Sequence, residues 1–185
     1  MKSLLGWTMI AVLAAGLVEQ AFLPAALAQD QTGAWQVAES KYFQIGYQNP
    51  ADLVRLTSHL YKSESREAAQ RIKKTGVVGQ RDLVVYDRLY EQTMNLLGMR
   101  SSVKLSIRIY PSYGALASEY ERLANRRDTV IAFYNPRLNV ICVDSSADRS
   151  VLAHEMAHAL MDVLFVPNPP LEVQELLAGY AQSRI

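Results

Sequence analysis

In VLAHEMAHAL, residues 151–160, two histidines stand four apart with a glutamate directly after the first. On an α-helix, residues i and i+4 share a face with Cβ atoms about 5–6 Å apart. His154 and His158 can therefore direct two imidazole nitrogens at one cation at roughly 2.0–2.1 Å. Glu155 is rotated about 100° from His154 and stands beside such an ion, where a general base for water belongs. Zinc supplies the acidity this arrangement calls for. It lowers the pKa of its water to about 7, and a neighbouring carboxylate accepts the proton while the oxygen attacks an amide carbonyl. Three histidines in 185 residues give this pattern by chance roughly 0.2% of the time, so coincidence is a poor account of it.

A catalytic zinc site takes three protein ligands and keeps a fourth position open. The remaining histidine, His59, lies far upstream in a helical run and reads as an ordinary surface or core side chain. The other donors are acids: Asp162, Glu172 and Glu175. Asp162 shares the histidine face one turn further on, which suits a supporting hydrogen bond or plain solvation. From His158 to Val166 the helix advances about 12 Å, and an antiparallel helix starting near Pro169 returns about 9 Å by Glu175, within about a turn of His158. Glu172 returns only about 4–5 Å and suits the positive end of the last helix. Glu175 is the preferred third ligand, with Glu172 behind it.

The elements that must hold these groups are legible in the patterning. Phe43, Ile45 and Tyr47 alternate as a first strand. Leu53, Leu56 and Leu60 recur at helical spacing in a helix predicted from about Pro50 to Ile72, and a second runs from about Gln80 to Leu97, ended by Gly98. Val103, Leu105, Ile107 and Ile109 alternate as a half-buried strand, and Pro111 and Ser112 introduce a short helix to about Leu123. TVIAFYNPRLNVICVD, from residue 129, reads as a hairpin turning at Asn135-Pro136-Arg137. Ser145 or Ser146 can cap the histidine helix, with Asp148 in its first turn, and that helix runs to about Phe165. Asn168 can cap the final helix, with Pro169 at its first position.

Half of the residues are apolar, enough to bury a sizeable core in one domain. Lys and Arg total 19 against 18 for Asp and Glu, with no long like-charge run, so no electrostatic footprint for nucleic acid exists and a small or peptide-like partner fits better. Residues 1–28 stand apart: Lys2, an apolar run from Leu4 to Val18, then Ala26-Leu27-Ala28. This reads as a secretory signal cleaved after Ala28, giving an exported, periplasmic or secreted protein. An uncleaved membrane anchor is the rival reading, and no later segment has the length to span. The lone Cys142 excludes a disulfide within the chain and, in an alternating run, reads as a small buried apolar side chain.

His154-Glu155-Met156-Ala157-His158 followed by PLEVQELLAGY, Pro170 to Tyr180, resembles the gluzincin metallopeptidases, in particular the peptidase MA-like group whose HExxH helix precedes a P-x-W-x-x-E-G-x-A-x-Y helix. Pro170, Glu175, Ala178 and Tyr180 match that second pattern, while Glu172 stands where tryptophan is usual and Leu176 where glycine is. The resemblance covers residues 148–182. It implies a minimal zincin-like α+β domain over residues 29–185, with a small mixed or antiparallel sheet and a hairpin edge strand. One zinc ion held by His154, His158 and Glu175 and hydrolysis of peptide or protein substrates with Glu155 as base are implied with it. It further implies that the edge strand of the 129–143 hairpin pairs with extended substrate. Gly179 occupies the position where the family often carries an aspartate, and no oxyanion donor is assigned. Two alternatives to the peptidase remain: a non-catalytic, zinc-stabilised peptide- or protein-binding module with a degenerate peptidase fold, and a structural domain with an accidental histidine pair.

Overall fold

The computed structural model describes residues 34–185; the expected export segment, 1–28, lies outside the described residues. The chain runs β1 (Gln36–Glu39), β2 (Phe43–Tyr47), α1 (Pro50–Tyr61), α2 (Arg66–Thr75), a 3-10 turn (Gln80–Leu83), α3 (Val84–Leu97), β3 (Leu105–Tyr110), α4 (Tyr113–Ala124), β4 (Ala132–Asn135), β5 (Val140–Asp144), α5 (Arg149–Leu164) and α6 (Leu171–Arg184). The class is α+β, with a mixed sheet in the order β1-β2-β3-β5-β4. β2, β3 and β5 are parallel, and β1 and β4 run antiparallel along the two edges.

Local chemistry sets the boundaries. Asn49 Oδ1 accepts from the Ala51 N–H at 2.9 Å, with Pro50 in the first turn of α1. The stretch expected as one helix to Ile72 is two, because the Ser65 hydroxyl accepts from the Ala68 N–H at 3.2 Å and starts a new helix. α2 and α3 end on Gly76 and Gly98, each at φ 65°, the left-handed conformation that closes a helix. β1 has no counterpart among the expected elements; it is mostly exposed and lacks an alternating apolar face.

β3 differs from its expected half-buried state: all six of its residues are buried. Leu105, Ile107 and Ile109 face a core built with α1, α3 and α5. The opposite face is covered too, by α4 and Trp35, with Tyr110 and Leu116 in the cluster. Arg108 therefore lies inside, its guanidinium 3.6 Å from Glu119 of α4 and 5.4 Å from the centre of the Trp35 ring. Alternation of apolar and polar residues ordinarily marks a wet face, and here the Glu119 carboxylate and the Trp35 ring lie against the guanidinium in place of water, with Nε and Nη2 left without a hydrogen-bond partner among the described residues.

α5 is packed nearly all round, burying Leu152, Ala153, Met156, Ala157, Ala159, Leu160 and Met161. Its cap is Asp148, whose Oδ1 accepts from the Val151 N–H at 3.0 Å. The serines expected there are used elsewhere, since Ser146 N–H and hydroxyl both go to Asp144 Oδ1 and Ser145 is buried. The Val151 N–H holds the Asp148 carboxyl below the usual carboxylate range. Asp148→Ala is expected to cost about 1 kcal/mol in urea unfolding at neutral pH. A depressed native pKa stabilises above the unfolded value and is lost as pH falls, so the gap between wild type and variant should close in acid. An unchanged gap at low pH would reject the charged cap.

α6 returns antiparallel along α5, with Gln182 beside His154 and Glu175 beside His158. Ala157, Met161, Ala178 and Ala181 fill the contact between the helices. Small side chains let the backbones approach closely, which brings the polar groups beside the seam within reach of one another. No helix among the described residues is long and apolar enough to cross a membrane.

Candidate metal centre

His154, His158 and Glu175 converge, with their donor atoms all within 4.8 Å of one another. The two Nε2 atoms are 3.2 Å apart, and the Glu175 carboxylate lies 3.6 Å from His154 Nε2 and 3.5 Å from His158 Nε2. Ligands held 2.0–2.1 Å from one ion at tetrahedral angles stand about 3.3–3.4 Å apart. The Nε2 pair is near that spacing, and Glu175 presents Oε2 to His154 and Oε1 to His158, so these three residues fit a zinc ion with a position left open. Burial, then the neighbouring His154, lowers the pKa of His158 and favours the neutral, metal-ligating imidazole.

Glu155 is not a member of the donor cluster. It is buried on the β4 side of α5, where Oε2 accepts from the Tyr134 N–H at 2.8 Å. Burial pushes its carboxyl up to about 7, Glu175 adds to the rise, and the Tyr134 N–H opposes it. A carboxylate with a pKa near neutrality is a stronger proton acceptor than an ordinary surface glutamate.

The hairpin places β4 at the edge of the sheet, as expected. Its Tyr134 N–H is occupied by Glu155, so the strand does not offer that donor to a second chain. The Tyr134 hydroxyl donates to Asp162 Oδ2 at 2.9 Å and Asn168 Nδ2 donates to Asp162 Oδ1 at 2.6 Å. Asp162 thus ties the hairpin to the loop between α5 and α6, a supporting role. Because Asn168 is spent on Asp162, the final helix starts two residues later than expected, with Pro170 at the cap position. Val130, Phe133 and Tyr120, with the two histidines, Glu155 and Glu175, line a cleft of about 590 Å³.

The remaining acids and histidine sort cleanly. Glu172 is exposed in the first turn of α6 and outside the donor cluster. His59 sits apart, its Nδ1 3.1 Å from the Ser146 carbonyl oxygen. Tyr180 is exposed and its ring lies under the Arg184 guanidinium. Burial pushes the Cys142 thiol up to about 12, which leaves it no thiolate at neutral pH.

Three contributors to the site have no individual sequence signal strong enough to single them out. Gln182 Oε1 accepts from His154 Nδ1 at 3.0 Å, Gln174 lines the cleft with its Nε2 donating to the Pro169 carbonyl at 2.8 Å, and the Tyr134 N–H donates to Glu155. Gln182 is seven residues past Glu175, on the same helix face, so periodicity alone offers it. Comparison with known proteins returns no matching family model, no matching curated protein and no matching solved structure.

Proposed function

We propose that this chain is an exported, zinc-dependent metallopeptidase of minimal gluzincin type, with a zincin-like fold, that hydrolyses peptide bonds. The observation that carries the reading is the convergence of two imidazole nitrogens 3.2 Å apart with a carboxylate whose two oxygens lie 3.6 Å from one and 3.5 Å from the other, beside the buried Glu155. Three lone-pair-bearing groups so close repel one another unless a proton or a cation lies between them. His154, His158 and Glu175 would hold the metal. When bound, zinc supplies Lewis acidity, lowering the pKa of a water and polarising a carbonyl oxygen. Glu155 accepts the proton of the attacking water and returns it to the departing amine, held in place by the Tyr134 N–H. The apolar lining of Val130, Phe133 and Tyr120 limits the water in the cleft. Export rests on the character of residues 1–28.

A second reading has its own support. Glu155 is bound to backbone, and the Tyr134 hydroxyl is committed to Asp162, so both groups also serve the fold. A zinc-stabilised, non-catalytic peptide-binding module would use them in that way. Zinc content together with cleavage of an unfolded protein, with and without chelator, separates the two. Stoichiometric zinc with chelator-sensitive cleavage supports the peptidase; zinc without cleavage supports the module. Zinc at 100 times its Kd is expected to stabilise the fold by about 2.7 kcal/mol, which raises the Tm by about 5–10 °C and is reversed by chelator. No shift in Tm would reject a metal centre of either kind.

A further inference from the structure

α6 carries Gln174 and Glu175 side by side and Gln182 two turns on. Seven residues complete nearly two full turns and advance about 10.5 Å, so Glu175 and Gln182 share a face. On α5 the histidines are four apart, about 6 Å along the axis. Antiparallel packing sets Gln182 against His154, while Gln174 Nε2 donates to the Pro169 carbonyl at the start of α6. The His154 imidazole therefore meets the proposed cation through Nε2 and a glutamine through Nδ1.

The tautomer follows from the hydrogen bond. His154 Nδ1 donates to Gln182 Oε1 at 3.0 Å, which leaves the Nε2 lone pair free and directed at Glu175 and His158. Histidines that hold metals commonly donate the second ring N–H to a carboxylate or carbonyl, which fixes ring orientation and raises ligand basicity. A carboxylate does this more strongly than an amide, because its charge favours a partly deprotonated ring. The charge count shows the consequence: a divalent ion with the Glu175 carboxylate keeps a net charge of about +1 in the donor set, and each carboxylate placed behind a histidine would offset it.

We infer that Gln182 is a positioning residue that selects the metal-binding tautomer of His154 with a neutral amide, keeping the centre electrophilic at the expense of metal affinity. The inference rests on the proposed metal centre and goes beyond it by assigning how tightly that centre holds its ion. Gln182 is exposed, so substitutions there leave the fold intact.

The test is zinc affinity by competition with a chromophoric chelator, for the wild type, Gln182→Ala and Gln182→Glu, with ¹⁵N spectra of the metal-free histidines as a second readout. Gln182→Ala is expected to weaken zinc 10–100-fold and to lose the Nδ1–H preference of His154. Gln182→Glu is expected to tighten zinc about tenfold, a gain that loss of packing does not produce. If the wild type binds zinc and the alanine variant stays within twofold of it, or the glutamate variant fails to tighten, the inference is overturned. A wild type that binds no zinc removes the metal centre and this inference together. Zinc binding with the expected variant effects but no peptide cleavage leaves the inference standing and removes only the peptidase reading.

Discussion

Replacing Glu155 with glutamine is expected to abolish peptide hydrolysis while zinc stays bound at full stoichiometry. The amide oxygen can still accept the Tyr134 N–H that Glu155 takes at 2.8 Å, and the side chains are nearly isosteric, so β4 and α5 keep their contact. What the amide lacks is basicity. It cannot take a proton from water, and positioned acid–base groups contribute about 10²–10⁴-fold to a rate. As a general base for water, Glu155 would contribute to the chemical step and not to substrate affinity, so the loss should fall in kcat with KM nearly unchanged. The neutral amide also removes a buried charge, so metal-free stability is expected to hold or rise. Initial rates on an unfolded protein substrate, set beside metal content, decide the matter. Full activity in the glutamine variant would exclude Glu155 as the base.

The separation between the histidine pair and Glu155 is a property of α5 as a helix. His154, His158 and Asp162 lie in one i, i+4 row, while Glu155 is turned toward β4. One row is covered by α6 and the cleft; the other position is buried against the hairpin. The two environments differ: largely buried imidazoles whose lone pairs face α6, and a carboxylate raised toward neutrality because it is dry. Both depend on neighbours from elements that arrive later or earlier in the chain, β4 on one side and α6 on the other.

How much of this was legible in the sequence follows from the range of each interaction. The histidine pair and Glu155 were legible because helical periodicity is local. Glu175 was legible because the turn between the helices is short, so distance along one helix and back can be counted from residue numbers. The hairpin was legible from Asn135-Pro136-Arg137 between two apolar runs. Arg108 was not, because its burial depends on α4 and Trp35 closing the second face of the sheet, a tertiary event that the alternation around it contradicts. The cap of α5 was misplaced for a similar reason: Ser145, Ser146 and Asp148 are all good caps, and the choice was made by Asp144 drawing in Ser146. Gln182 has an acceptor any surface helix carries, and only the partner helix gives it meaning.

Glu175→Ala is expected to lower zinc affinity more than 100-fold, beyond what loss of a supporting partner costs. The carboxylate supplies the only negative charge in the donor set, and without it two neutral imidazoles hold a divalent cation whose charge nothing in the set offsets. The metal-free fold should scarcely notice. The Glu175 side chain is 54% exposed and its contacts with the histidines are 3.5 and 3.6 Å, the kind of surface pair worth about 0–1 kcal/mol. Metal affinity and stability are thus expected to separate, with a large loss in one and little change in the other. Glu172→Ala is the matched comparison: it removes an acid three residues away on the same helix, exposed and outside the donor cluster. Its zinc affinity should equal that of the wild type. Competition titrations on the two variants read the assignment directly, since affinity lost at 172 and retained at 175 would mean that α6 presents a different carboxylate to the histidines.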